Sequence, residues 1–235
     1  MLLEEILSAG FAELGLPLDA QALRRYRLYA DHLAEKNAVM NLTAIEGEQD
    51  TARLHFLDCA ALLTMAELGG RQVIDVGAGA GFPGLVLKIA QPDIGLTLLD
   101  SLDKRVSFLR ETSALLGFDD VTAVHARAEE APADYRAAFD FAVSRAVARL
   151  SVLCELCLPL VKTGGLFLAM KGSDHAQELR GARQALRLLG GEVERCADYT
   201  IPGTNVTHSV ILIRKTGETP AKYPRRWAQI KKTPL

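Results

Sequence analysis

Val73-Ile74-Asp75-Val76-Gly77-Ala78-Gly79-Ala80-Gly81-Phe82-Pro83-Gly84 is the stretch whose reading decides the fold. Val73, Ile74 and Val76 form a short apolar run that reads as a buried strand, and three alternating glycines end it. Pro83 then suits the first turn of a helix, where its missing N–H is not needed. Glycine lets the backbone take positive φ and removes the Cβ that would hold a ligand away. The expected product is a strand–loop–helix corner whose amide groups face a nucleotide-like ligand.

The dinucleotide fingerprint is G-x-G-x-x-G, whereas this loop is G-x-G-x-G with an acid, Asp75, two residues before the first glycine. A second apolar run, Ile94 to Leu99, ends in Asp100, 23 residues after Gly77. A carboxylate there can accept both hydroxyls of a ribose. Asp-x-Gly-x-Gly-x-Gly followed by an acid at the end of the next strand is similar to the S-adenosylmethionine (SAM) methyltransferases. Asp75, Gly77, Gly79, Gly81, Phe82, Asp100 and Ser101 are therefore the expected cofactor-binding residues. The alternative is a glycine corner that only packs a helix closely on a sheet.

From Arg71 onward apolar strands alternate with helical stretches, the mark of a parallel sheet with crossovers. Strands are expected near 72–76, 94–100, 121–125, 139–144, 165–171, 193–199 and 206–214. Helices are expected near 83–90, 103–116, 147–161 and 174–190. Only Ile201-Pro202-Gly203-Thr204-Asn205 separates the last two strands, so they should close the sheet as an antiparallel hairpin. That ending is unlike a dehydrogenase. The fold class expected is α/β, Rossmann-like, with a mostly parallel seven-stranded sheet, an antiparallel last strand and an N-terminal helical extension. In that extension Leu2, Leu3, Ile6, Leu7, Phe11 and Leu14 have helical spacing, Gly15 stops the first helix and Asp19 caps a second. Leu23, Tyr26, Leu28, Leu33 and Val39 continue an apolar face, and a third helix begins near Gln49–Thr51. The expected division is 1–70 helical, 71–215 cofactor-binding and 216–235 a basic tail.

Composition is ordinary for a soluble globular chain, with 49% apolar and 24% charged residues among 235. No apolar span approaches membrane length, and Glu4 and Glu5 lack the basic start of a signal peptide, so a cytoplasmic protein is expected. Cys154 and Cys157 have C-x-x-C spacing but lie among leucines with no second ligand pair, so they read as buried thiols rather than a metal site. Net charge is −2, yet residues 214–235 carry seven bases against Glu218. A basic tail on an acidic body fits a polyanionic partner; a solvated tail is the plainer alternative.

In an open α/β sheet, ligands sit outside the carboxyl ends of the strands. Those ends carry His125 to Glu129, Ser144-Arg145-Ala146 and Lys171-Gly172. Ala128 and Glu129 can hold an adenine by a small side chain, a backbone amide and an acid. Arg145 should project over the glycine corner, where it can hold a phosphate, a base oxygen or a carboxylate. Lys171 leaves an apolar strand at the same edge. Arg53, His55 and Asp58 stand at i, i+2 and i+5. On an α-helix the first two lie about 200° apart, so the three cannot share a narrow face.

These residues together resemble the RsmG (GidB) family, the bacterial 16S rRNA guanine-N7 methyltransferases. The matching stretches are Asn41-Leu42-Thr43, Arg53-Leu-His55-Phe-Leu-Asp58, Asp75–Gly84, Leu98 to Leu109, Ser144-Arg145-Ala146, Lys171-Gly172 and the tail from Tyr223. Cys59 stands where the family more often has serine, and Trp227-Ala228-Gln229 departs from a Gly-rich tail. The resemblance implies SAM as cofactor, with contacts at Gly77, Phe82, Ala128, Glu129 and Arg145. It implies 16S rRNA or the small ribosomal particle as partner, with no membrane and no obligate protein partner. Arg145 and Lys171 are the candidate catalytic residues; Arg53, His55, Lys104, Arg105, Lys171, Arg225 and Arg226 are the candidate RNA contacts. The rivals are a SAM enzyme with another substrate and a non-catalytic rRNA-binding assembly factor.

Overall fold

The computed structural model describes residues 2–145, 148–172 and 175–235. Seven strands form one sheet: β1 Gln72–Val76, β2 Gly95–Asp100, β3 Thr122–His125, β4 Phe139–Arg145, β5 Val161–Lys171, β6 Gly191–Thr200 and β7 Thr207–Lys215. Their order is β3-β2-β1-β4-β5-β7-β6. The pairs joining β1 to β5 are parallel, whereas β7 runs antiparallel to both β5 and β6. The chain order therefore reverses between β1 and β4, and that switch point is where a ligand crevice opens.

Strand placement follows the apolar runs closely, with one difference at β5, which starts four residues before the expected 165. Thr163-Gly164-Gly165 has the composition of a turn, yet it forms a bulge: the register with β4 jumps from Phe139↔Val161 to Phe141↔Leu166. Gly164 takes φ 91°, which a side chain would resist.

The helices are α1 Leu3–Glu13, α2 Ala20–Met40, α3 Glu48–Asp50, α4 Asp58–Ala60, α5 Gly84–Ala90, α6 Asp103–Leu115, α7 Leu150–Cys157, α8 His175–Leu189 and α9 Trp227–Lys232. Asp19 caps α2 by accepting the Ala22 N–H at 2.7 Å, and Gly15 (φ 68°) ends the first helical unit. The buried stripe of α2 runs through Tyr26, Tyr29, Ala30 and Leu33. Leu28 and Val39, expected on that stripe, are 43% and 78% exposed because they sit off its i, i+3, i+4, i+7 line. Between α3 and α4 the chain is a π-helix, Thr51–Leu57, rather than the expected regular helix. The expected starts of two helices, Val147 and Asp174, and Ala146 lie outside the described residues.

Two apolar cores flank the sheet. One joins α1, α2 and the α3–α4 segment to α5, α6 and the strands; the other joins α7, α8, Tyr223 and Ile230 of the tail to the opposite face. The N-terminal helices thus share a core with the sheet instead of burying one of their own.

Candidate active site at the switch point

Gly77, Gly79 and Gly81 have φ of 76°, 58° and 95°, so the loop after β1 uses all three glycines for a conformation that side chains disfavour. The Gly77 and Ala78 N–H groups donate to Leu99 O at 2.8 and 3.1 Å, tying the loop to the end of β2. Gly79 N–H donates to Asp100 Oδ2 at 2.9 Å, and Leu102 N–H donates to Asp100 Oδ1 at 2.9 Å. One bond to each oxygen leaves both carboxylate oxygens with acceptor capacity for hydroxyl donors. The N-terminal helices grip the same loop: Tyr29 Oη donates to Ala80 O, and Tyr26 Oη donates to Val86 O at 2.9 Å.

Asp75 has a different place from the one its position in the motif implies. It is fully buried below the loop, where Oδ2 accepts the Gly84 N–H at 2.8 Å and Oδ1 has no partner. Burial raises its pKa to about 7. It holds the helix start and does not line the cavity.

That cavity, about 540 Å³, is bounded by the loop from Val76 to Ala80, by Asp100, Ser101 and Arg105, by Ala126 to Glu129, and by Phe82, His55 and Arg145. Its size is right for a nucleoside-bearing ligand. Two features fit SAM. A Cβ on Gly79 would meet only Gly77 O at 3.8 Å, so absence of a side chain leaves this stretch of main chain open to approach. Glu129 Oε1, in the same wall, is a buried acceptor without a partner.

The far wall is built from side chains. Arg145, at the end of β4, is only 17% exposed. Its Nη1 donates to Leu54 O at 3.1 Å and to Asp58 Oδ2 at 3.2 Å, and its Nη2 lies 2.8 Å from His55 Nδ1. Its guanidinium carbon sits 4.7 Å over the centre of the Phe82 ring, and His55 stacks on that ring at 4.1 Å. A guanidinium only donates, so His55 Nδ1 accepts and the imidazole is neutral, with its proton on Nε2. Burial and the Arg145 charge together lower the His55 pKa to about 3. His55 Nε2–H then donates to Thr43 Oγ1 at 2.9 Å. Asp58 Oδ1 accepts from His208 Nδ1 at 2.8 Å and from the Tyr199 hydroxyl at 2.7 Å. The Asp58 pKa is lowered: burial works against its charge, but His208, Tyr199 and Arg145 outweigh burial.

His55 and Asp58 stand three residues apart, a spacing that brings side chains to one side of a helix, and both reach the Arg145 guanidinium. Asp58 N–H reaches back five residues to Arg53 O, widening the turn relative to α geometry. Arg53 points elsewhere, to Gln49 Oε1 at 3.2 Å. Lys104 reaches Met40 O at 3.3 Å, and Arg105 stands 3.7 Å from Asp100 at the cavity edge.

Two expected functional cations are committed elsewhere. Lys171 Nζ donates to Ala148 O at 2.5 Å and pairs with Glu178 at 3.3 Å, away from the cavity, because β5 delivers it to the start of α7 and α8. Arg225 clasps the fully buried Glu155 with a two-pronged contact of 2.7 and 2.6 Å, since a lone carboxylate at that depth requires a counter-charge. Arg226 caps α9. Arg27 pairs with Glu4 and Glu48. Sequence reasoning missed Tyr199, His208, Leu156 and Trp227. Tyr199, His208 and Trp227 signal themselves only as polar or aromatic residues near strand or tail ends, and Leu156 gives no signal beyond its place in an apolar helix.

The family profile described as rRNA small subunit methyltransferase G matches residues 22–206. The chain belongs to that family. The ribosomal RNA small subunit methyltransferase G of Alkaliphilus metalliredigens is 45% identical over 98% of both chains, and that of Acetivibrio thermocellus is 42% identical over 99% of this chain and 97% of its own. The family's members are SAM-dependent enzymes acting on small-subunit rRNA, and this protein is one of them. Solved structures show the same fold at low identity. P. horikoshii TYW2 in complex with MeSAdo has a TM-score of 0.56 and 15% identity, covering 69% of this chain and 63% of its own. A SAM-dependent methyltransferase from Aquifex aeolicus has a TM-score of 0.53 and 18% identity, covering 70% and 92%.

Proposed function

We propose that the protein methylates N7 of a guanine in a loop of 16S rRNA. The observation that carries this reading is the state of the titratable groups around Phe82. His55 has its Nδ1 on Arg145 and its Nε2–H on Thr43, and Asp58 is bonded by Arg145, His208 and Tyr199. Neither is free to remove a proton. Guanine N7 presents a lone pair, so its methylation requires no proton removal. When bound, SAM supplies a methyl carbon attached to a positively charged sulfur.

The chain's own part is placement. Asp100 and Glu129 hold the sugar and adenine side, and the glycine loop brings main chain against the donor. Arg145 has five N–H donors, of which three are spent in the protein; the other two orient the substrate base or the donor's carboxylate. Unstacking costs least in a single-stranded loop. Lys104, Arg105, Arg53 and Arg226 are the contacts for phosphates, with strong salt dependence. Lys171 and Arg225 act by holding α7, α8 and the tail in place.

The test is transfer of tritiated methyl from SAM to small-subunit particles and to naked 16S rRNA from cells lacking this gene, with mapping of the labelled base. Label at one guanine N7 is expected. Label on a ribosomal protein or a small molecule, at another base atom, or binding without transfer overturns the reading.

A further inference from the structure

We propose that Trp227 closes the adenine end of the cofactor cavity, so that the C-terminal tail is part of the SAM site rather than a free RNA-binding arm. This rests on the reading of Ala128 and Glu129 as the adenine wall. Trp227 lines the cavity together with Leu156, Ala128 and Glu129. Ala128 packs against the same apolar core that holds Leu156 and the tail's Ile230, and α7 touches the Ala128–Glu130 turn, so the tail and the adenine wall belong to one face of the sheet. Trp227 is the chain's only tryptophan and is 36% exposed. Aromatic faces beside a nucleoside site stack on the base without reading its sequence.

The tail is held where this contact requires it. Arg225, two residues before Trp227, is forked onto Glu155, the immediate neighbour of Leu156, and its own N–H also donates to Glu155 Oε1 at 2.9 Å. Latch and wall are thus adjacent residues of α7. Further along, Ile230 is fully buried in the core of that face. Upstream, Arg136 donates to Tyr223 O at 2.8 Å, Thr219 O at 2.5 Å and Pro220 O at 3.2 Å. The segment between these anchors has little freedom, and the indole arrives at the cavity as a positioned group.

The experiment titrates the full-length protein with S-adenosylhomocysteine by calorimetry and follows the emission of its single tryptophan. Emission should change on saturation. Trp227→Ala should weaken binding on the order of tenfold, the scale of one base–aromatic stack, with Trp227→Phe restoring most of it. Methylthioadenosine, which keeps the adenine and ribose but lacks the amino-acid end, should lose the same factor in Trp227→Ala. Glu155→Gln, which loosens the latch, should lower affinity while leaving Trp227 in the chain. Unchanged emission at saturation, or wild-type affinity in a Trp227→Ala protein, overturns the proposal. So does a loss seen for S-adenosylhomocysteine but not for methylthioadenosine. Failure of the wild-type protein to bind either compound would instead overturn the cofactor-site assignment beneath it.

Discussion

Along Val76 to Ala80 the cavity wall is main chain, folded by positive-φ Gly77 and Gly79 with Gly81 just beyond, and tied to the neighbouring strand within a span of about two dozen residues. The other wall is side chains, Arg145 and His55 with the buried Asp58 bonded to the guanidinium, and the Arg145 bonds to Asp58 and His55 join residues 87 and 90 positions apart. The first wall depends on what is missing, namely Cβ atoms. The second depends on each member's charge and proton placement being set by the others, so a change at one member reaches the rest.

The largest effect expected is therefore at Arg145. Arg145→Ala leaves the buried Asp58 with only His208 and Tyr199 and His55 without its donor, costing on the order of 3 kcal/mol of stability. It should also lower methyl transfer by at least about 100-fold. Chemical denaturation and labelled transfer read the two separately; a variant that keeps full activity would break the contrast between the walls. Next is Gly79→Ala. The methyl has room inside the protein, so stability should fall only by about 1–2 kcal/mol, from the left-handed φ. Affinity for S-adenosylhomocysteine should fall further than that cost alone implies, because the Cβ enters the space where main chain meets ligand.

The side-chain wall also predicts opposite behaviour for two histidines. His55 is neutral down to about pH 3, below its unfolded value, so the folded state binds fewer protons and loses stability as pH falls from about 6.5 towards 3. His208 is raised, first by its hydrogen bond to Asp58; its stabilisation is present below the unfolded value and is lost as pH rises through the folded one. Imidazole NMR should show His55 not titrating between pH 8 and 5, and His208 titrating above the usual range until Asp58→Asn returns it. The smallest effect is at Ser144, whose buried hydroxyl donates to Val76 O at 2.9 Å. Ser144→Ala should cost about 1 kcal/mol, seen as a small drop in melting temperature.

The two walls also differ in how far a sequence reveals them. Strands, the closing hairpin and the glycine corner are local patterns, and Val73–Gly84 and Ile94–Asp100 carry them openly. Arg145 is legible as a strand-end cation, and the spacing of Arg53, His55 and Asp58 already bars one face for all three, as Arg53's turn to Gln49 shows; that His55 and Asp58 meet Arg145 is not legible, because those bonds join residues 90 and 87 positions apart. Lys171 reads as a catalytic or RNA-contacting cation and Arg225 as an RNA contact because Glu178 and Glu155, distant in the chain, give no local sign of facing them. The tail's charge concealed its anchoring, since Tyr223 and Ile230 dock by contacts that no periodicity announces.

The widened turn of Thr51–Leu57 makes residue count a functional variable. Removing one residue between His55 and Asp58 would leave them two positions apart, about 200° around a turn of ordinary pitch, and take Asp58 away from the cation it shares with His55. Within this segment, homologues are best aligned by length before they are compared letter by letter, and a single deletion there should be as damaging as the loss of a charged group.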